Sequence, residues 1–91
     1  MAELIAGRVV QVEDHPGARA PSYLVTVDLG GRGSTVAQME PGGYSKEALE
    51  GTLVVVSLNG GEAIVLAARS HAAGPVLVRP DTAVEPGTLV A

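Results

Sequence analysis

The sequence predicts an all-β chain, a small five-stranded barrel with one short helix between its third and fourth strands. Three observations carry this prediction. Two alternating apolar segments, Arg8-Val9-Val10-Gln11-Val12 and Tyr23-Leu24-Val25-Thr26-Val27-Asp28-Leu29, flank a connector. Pro16, Gly17 and Pro21 bar that connector from being helix or central strand. A nearly continuous apolar run from Leu53 to Leu58 has the pattern of a strand buried on both faces or closing a barrel. Ahead of it, Tyr44-Ser45-Lys46-Glu47-Ala48-Leu49-Glu50-Gly51 carries a helical signature.

The elements follow in order. Leu4 to Val12 is the first strand, with Gly7 as a bend or bulge of the kind a barrel needs to curl. Ser22 to Leu29 is the second, rich in β-branched residues. Gly30-Gly31-Arg32-Gly33 supplies positive φ values for a hairpin turn into a third strand, Ser34 to Met39. Pro41-Gly42-Gly43 breaks the chain before the helix at residues 45–50. There Ser45 is the N-cap, Glu47 complements the dipole in the first turn, and Gly51 is the stop. Asn59-Gly60-Gly61 turns the fourth strand, Leu53 to Leu58, into a fifth, Ala63 to Ala68. Beyond Arg69 the signals weaken to a short strand, Val76-Leu77-Val78, between Pro75 and Pro80. A loop from Thr82 to Gly87 and an edge at 88–90 complete the chain. A helix between the third and fourth strands of a five-stranded chain is the OB-fold arrangement.

Composition narrows the function classes. The 91 residues are expected to form one domain, 1–91. Cysteine is absent, which excludes disulfides and thiolate metal sites. No apolar run approaches the ~20 residues of a membrane helix and no signal sequence is evident, so a cytoplasmic location without membrane attachment is expected. Tyr23 and Tyr44 are the only aromatic residues, so the core must be aliphatic. Six basic and ten acidic residues give a net charge of −4, which opposes phosphate backbones within about 8–10 Å at physiological salt.

Little in the sequence suits covalent chemistry. His15 and His71 lie in no ligand-spaced motif and read as loop residues. Glu13 and Asp14 are adjacent, so on a strand they face opposite ways and form no dyad. No serine sits in a nucleophile elbow. The glycine-rich turn at 30–33 lies between strands, with no helix to receive a phosphate. The expectation is a non-enzyme with no cofactor and no metal.

Four collinear pieces resemble the tRNA-binding OB-fold domains, and within them the CsaA-type secretion chaperones. They are GRVVQVEDHPGARAPSY from Gly7 to Tyr23; Val27-Asp28-Leu29-Gly30 leading into Ser34-Thr35-Val36-Ala37-Gln38-Met39; the helical segment Tyr44 to Gly51; and the strand ending in Leu58-Asn59. The chain departs from that pattern in two places. Ala20 replaces the lysine of the relatives' ARKP-like motif, and Asn59 is followed directly by Gly60-Gly61-Glu62 in place of a longer loop. The relatives' extension ahead of the first strand is also expected to be nearly absent, with Met1 only a few residues before Leu4.

The resemblance implies a non-catalytic tRNA- or RNA-binding module. The alternative is a polypeptide-binding, export-chaperone-like or protein-interaction module that has lost RNA binding, which the shortened loop and Ala20 favour. Arg19, Tyr23, Gln38 and Asn59 would line the binding face. Arg19 would meet phosphate or carboxylate, Tyr23 would stack, and the two amides would bond backbone or base edges. The alternating row Ser34, Val36, Gln38 beside an exposed β edge also suits strand addition or side-chain capture. A homodimer is expected from small size, the Leu53–Leu58 run and the habit of the relatives.

Overall fold

The structure, a computed structural model, describes residues 2–91. Five strands close into a barrel: β1 (Glu3–Asp14), β2 (Tyr23–Asp28), β3 (Ser34–Met39), β4 (Leu53–Asn59) and β5 (Glu62–Val65), in the spatial order β1-β2-β3-β5-β4. The short helix α1 (Lys46–Leu49) lies between β3 and β4. A separate two-stranded sheet, β6 (Ala67–Ser70) with β7 (Gly74–Leu77), follows the barrel. This is the expected five-stranded OB-type barrel with its helix in the expected interval.

β1 makes closure possible. Its first half pairs antiparallel with β4, from Glu3↔Leu58 to Arg8↔Leu53. Its second half pairs antiparallel with β2, from Arg8↔Asp28 to Asp14↔Tyr23. One strand serves both partners because it bends, and the β1–β2 register shifts between Val9 and Gln11. The bulge thus falls at Val10, not at Gly7 as the sequence suggested. Gly7 is needed for a different reason. A Cβ built on it would run into Val27 Cγ1 and lie 2.9 Å from both the Asp28 carbonyl oxygen and Leu29 Cδ2. Here β1 passes so close to β2 that only a hydrogen side chain fits.

The interior is aliphatic, as the shortage of aromatic residues required. Ile5, Val9, Val25, Val27, Val54, Val56 and Leu49 are essentially inaccessible to water. Alternation along β2 and β3 sends Val25, Val27, Ala37 and Met39 inward. Leu49, carried by α1, joins the same core. The helix is built as its sequence directs: the Ala48 amide donates to Ser45 Oγ at 3.1 Å, and Gly51, at φ 82°, ends it. The Gly51 amide then donates to the Val9 carbonyl, and the Arg8 guanidinium donates to the Gly51 carbonyl at 2.7 Å, locking the exit of α1 to β1.

The apolar β4 run is satisfied within the chain. Val54 and Val56 face the core, while Val55 is buried from the other side. The C-terminal segment lies on this outer side. The Ala6 amide donates to the Thr88 carbonyl, the Val90 amide donates to that of Leu4, and Leu89 bridges Ile5, so 88–90 does form an edge along β1. The expected fifth strand is cut in two. At Leu66 the chain leaves β5: its amide donates to the Val55 carbonyl and its carbonyl accepts from Val78. Residues 67–70 then pair with β7 instead of extending the barrel. Pro75 sits in β7, where an edge strand tolerates a missing donor. Among the described residues, no helix is long and apolar enough to cross a membrane.

Replacing Gly7 with alanine forces a methyl group against β2 and should destabilise the fold by about 1–3 kcal/mol, the usual cost of overpacking. Gly31→Ala, at a position where an added Cβ meets nothing within 4 Å, is the control and should be close to neutral. Urea unfolding midpoints of the two variants test the pair; equal midpoints would show that the close crossing is not needed.

Candidate functional site

The barrel is unevenly closed. β2 and β3 pair at six consecutive positions, from Tyr23↔Met39 to Asp28↔Ser34, and β4 and β5 pair at four. The join between β3 and β5 is parallel and rests on one pair, Gln38↔Ile64. Three shallow depressions gather on the outer surface over this seam. One, of about 390 Å³, is lined by Leu24, Val36, Gln38, Gly61, Glu62, Ala63 and Ile64. A second, of about 380 Å³, is lined by Ala18, Ala20, Pro21, Ser22, Gln38, Met39, Glu40 and Ile64. A third, of about 230 Å³, runs from Met39 and Glu40 past Ile64 to Arg69 and Pro75. Ile64 borders all three, with 51% of its surface exposed, and Val36, which shares the first with it, is 55% exposed. Two large aliphatic side chains this open, on one face around Gln38, make an apolar patch with polar edges.

The four residues expected to line a binding face fall in different places. Gln38 is exposed on β3 at the seam itself. Arg19 is exposed on the connector, whose Ala18 and Ala20 border the second depression, and among the described residues it forms no ion pair. Tyr23 is half-buried against the core, and its hydroxyl donates to the Tyr44 carbonyl at 2.9 Å. Tyr44 in turn accepts from the Leu77 amide through its own hydroxyl at 3.0 Å. The two tyrosines therefore tie β2, the approach to α1 and β7 together. Asn59 is exposed at the end of β4, opposite Glu62, and borders none of the three depressions. The turn that follows it uses Gly60 at φ 64°.

Ile64, Leu24 and Glu62 also belong to the face, and the sequence did not single them out. Ile64 stands between Ala63 and Val65, so the run is apolar throughout and the outward member is not marked by alternation.

The basic side chains are dispersed. Arg32 is paired with Glu3 at 2.7 Å, Lys46 with Asp14 at 2.7 Å, and Arg69 with Glu40 at 2.8 Å. Arg8 holds the Gly51 carbonyl, and Arg79 lies 6.0 Å from the centre of the Tyr44 ring, within cation–π range. The Arg69 hydrogen bond holds the Glu40 carboxyl below its usual range, and Arg32 does the same for Glu3. The Asp14 hydrogen bond raises Lys46. All these pairs are exposed and screened by solvent, so they contribute little to stability. Of the charged residues around the depressions, Arg69 is occupied by Glu40 and Glu62 is a second carboxylate. The face is apolar to mildly acidic. Among the described residues, no group of three histidine or acidic side chains converges to hold a metal ion.

The barrel has close structural counterparts. A CsaA chaperone protein from Picrophilus torridus superposes with a TM-score of 0.88 at 24% identity, covering 99% of this chain and 92% of its own. The chaperone CsaA from Bacillus anthracis superposes with a TM-score of 0.86 at 26% identity, covering 99% and 91%. No protein-family model and no curated protein matches the chain.

Proposed function

We propose that the protein is a non-catalytic polypeptide-binding module of CsaA-like architecture, and that its working surface is the β2–β3–β5 face around Gln38 and Ile64. The observation that carries this reading is the character of that face. It presents exposed Val36 and Ile64 among Leu24, Ala20 and Pro21, with Glu40 and Glu62 in its walls; among the described residues, Arg19, between the lining Ala18 and Ala20, is the one unpaired cation beside it. An extended polypeptide matches it, burying aliphatic side chains while Gln38 bonds the backbone or polar groups.

An RNA ligand needs the opposite: a basic groove and aromatic platforms for stacking. Here five of the six basic residues are held by carboxylates, a carbonyl or a ring, and the Tyr23 hydroxyl is fixed to Tyr44. Arg19 is the remaining cation, so tRNA binding is the second reading and would turn on that residue. The similarity to structures described as chaperones supports the first. We include a homodimer in this reading, since Leu89 is 60% exposed and Val78 and Val90 are also open, all three around one apolar depression beside Ala6 and Val55.

Binding of a reduced, carbamidomethylated unfolded polypeptide and of tRNA should be titrated in parallel. Ile64→Asp is expected to weaken the polypeptide by about tenfold or more, the scale of one lost aliphatic contact, while the fold is kept because the side chain is half-exposed. Polypeptide binding that ignores Ile64→Asp, with tRNA binding that falls with salt and with Arg19→Ala, would overturn the proposal in favour of RNA. Small-angle scattering at micromolar concentration should return a dimer mass, and a monomer mass would contradict the assembly.

A further inference from the structure

β3 behaves as an edge strand over most of its length. On one side it is paired with β2 from Ser34 to Met39, whereas on the other its one ladder pair with β5, among the described residues, is at Gln38. Continuing that parallel register would set Val36 against Glu62, but no pairing forms there, and the two residues line the same depression instead. Among the described residues, no turn or loop bonds its backbone to Ser34–Ala37 either. Along this side, alternate residues therefore present N–H and C=O groups with no strand beside them, which is the template an extended chain recognises.

We propose that a polypeptide docks as an added strand on the free side of β3, between Ser34 and Ala37, in the opening that β3 and β5 leave beyond Gln38. The inference rests on the polypeptide-binding reading and specifies its mode. Backbone bonds to β3 supply affinity for an extended chain of any sequence, and the outward row of side chains sets preference. Val36 and Ile64, both half-exposed, accept aliphatic side chains there. Glu62 is exposed and forms no ion pair among the described residues, so it selects a lysine or arginine in the same row. The preferred occupant is an extended segment bearing aliphatic and basic residues. An acidic segment meets the unpaired Glu62 carboxylate and is disfavoured.

Two measurements test this mode. In the first, amide hydrogen exchange is followed by NMR with and without the unfolded polypeptide. Exchange at the Ser34–Ala37 amides that face the free side should slow about tenfold or more, as new hydrogen bonds require. In the second, a short capped peptide of valine, threonine and lysine is compared with the same sequence N-methylated at every backbone nitrogen. Methylation should weaken binding by about tenfold or more, since it removes the donors of an added strand. If polypeptide binds but the Ser34–Ala37 amides exchange at their free rate and the methylated peptide binds as well as its parent, strand addition is overturned and side-chain capture replaces it. If neither the polypeptide nor the peptide binds, the polypeptide reading itself falls and takes this mode with it.

Discussion

Closure of a five-stranded sheet on itself requires one strand to be bonded along two directions, and in this protein β1 carries that requirement. Over its 12 residues it pairs first with β4 and then with β2, with a register shift at Val10 and with Gly7 buried at the tight crossing. Everything inside the barrel depends on this bend. It brings Ile5 and Val9 from one strand onto Val25 and Val27 of the next, and it places the Val9 carbonyl where Gly51 can bond it. The C-terminal segment then covers β1 from outside, through Leu4 and Ala6.

Strong closure at β1 leaves the opposite side of the ring lightly joined. A barrel held by antiparallel ladders elsewhere can tolerate a single parallel pair at one join. That seam is where backbone groups remain free, and where aliphatic side chains face outward around Gln38 and Ile64. In the closed ring the β3–β5 join lies across from β1, and there the two strands run side by side with a single ladder pair. The two tyrosines belong to the framework, since their hydroxyls bond the Tyr44 carbonyl and the Leu77 amide.

Much of this was legible in the residues. Alternation marked β2 and β3, Ser45 and Gly51 bounded α1, and Asn59-Gly60-Gly61 marked the β4–β5 turn, because each signal is local to the chain. The bulge at Val10 was not legible, since a bulge is a mismatch of count between two strands and Val10 by itself looks like any strand valine. Gly7 pointed to the right neighbourhood for the wrong reason, as a close approach shows only once the partner strand is in place. The break at Leu66 was hidden within an apolar run, and only the bonds to Val55 and Val78 reveal it. Gln38 was singled out by the family resemblance together with the Ser34-Val36-Gln38 row, and the structure sets it on β3 at the seam. Ile64 was missed because its neighbours are equally apolar. Tyr23 and Asn59 carry the family likeness, yet one is tied to Tyr44 and the other stands at a turn outside the depressions.

On the proposed reading, a polypeptide is held on the thin β3–β5 seam. Backbone amide chemical shifts, followed while an unfolded polypeptide is titrated, locate that surface. Changes should cluster at Val36, Gln38, Glu62 and Ile64, with the C-terminal edge at residues 88–90 unperturbed. Changes centred on Leu89 and Val90, or spread evenly around the barrel, would contradict that reading.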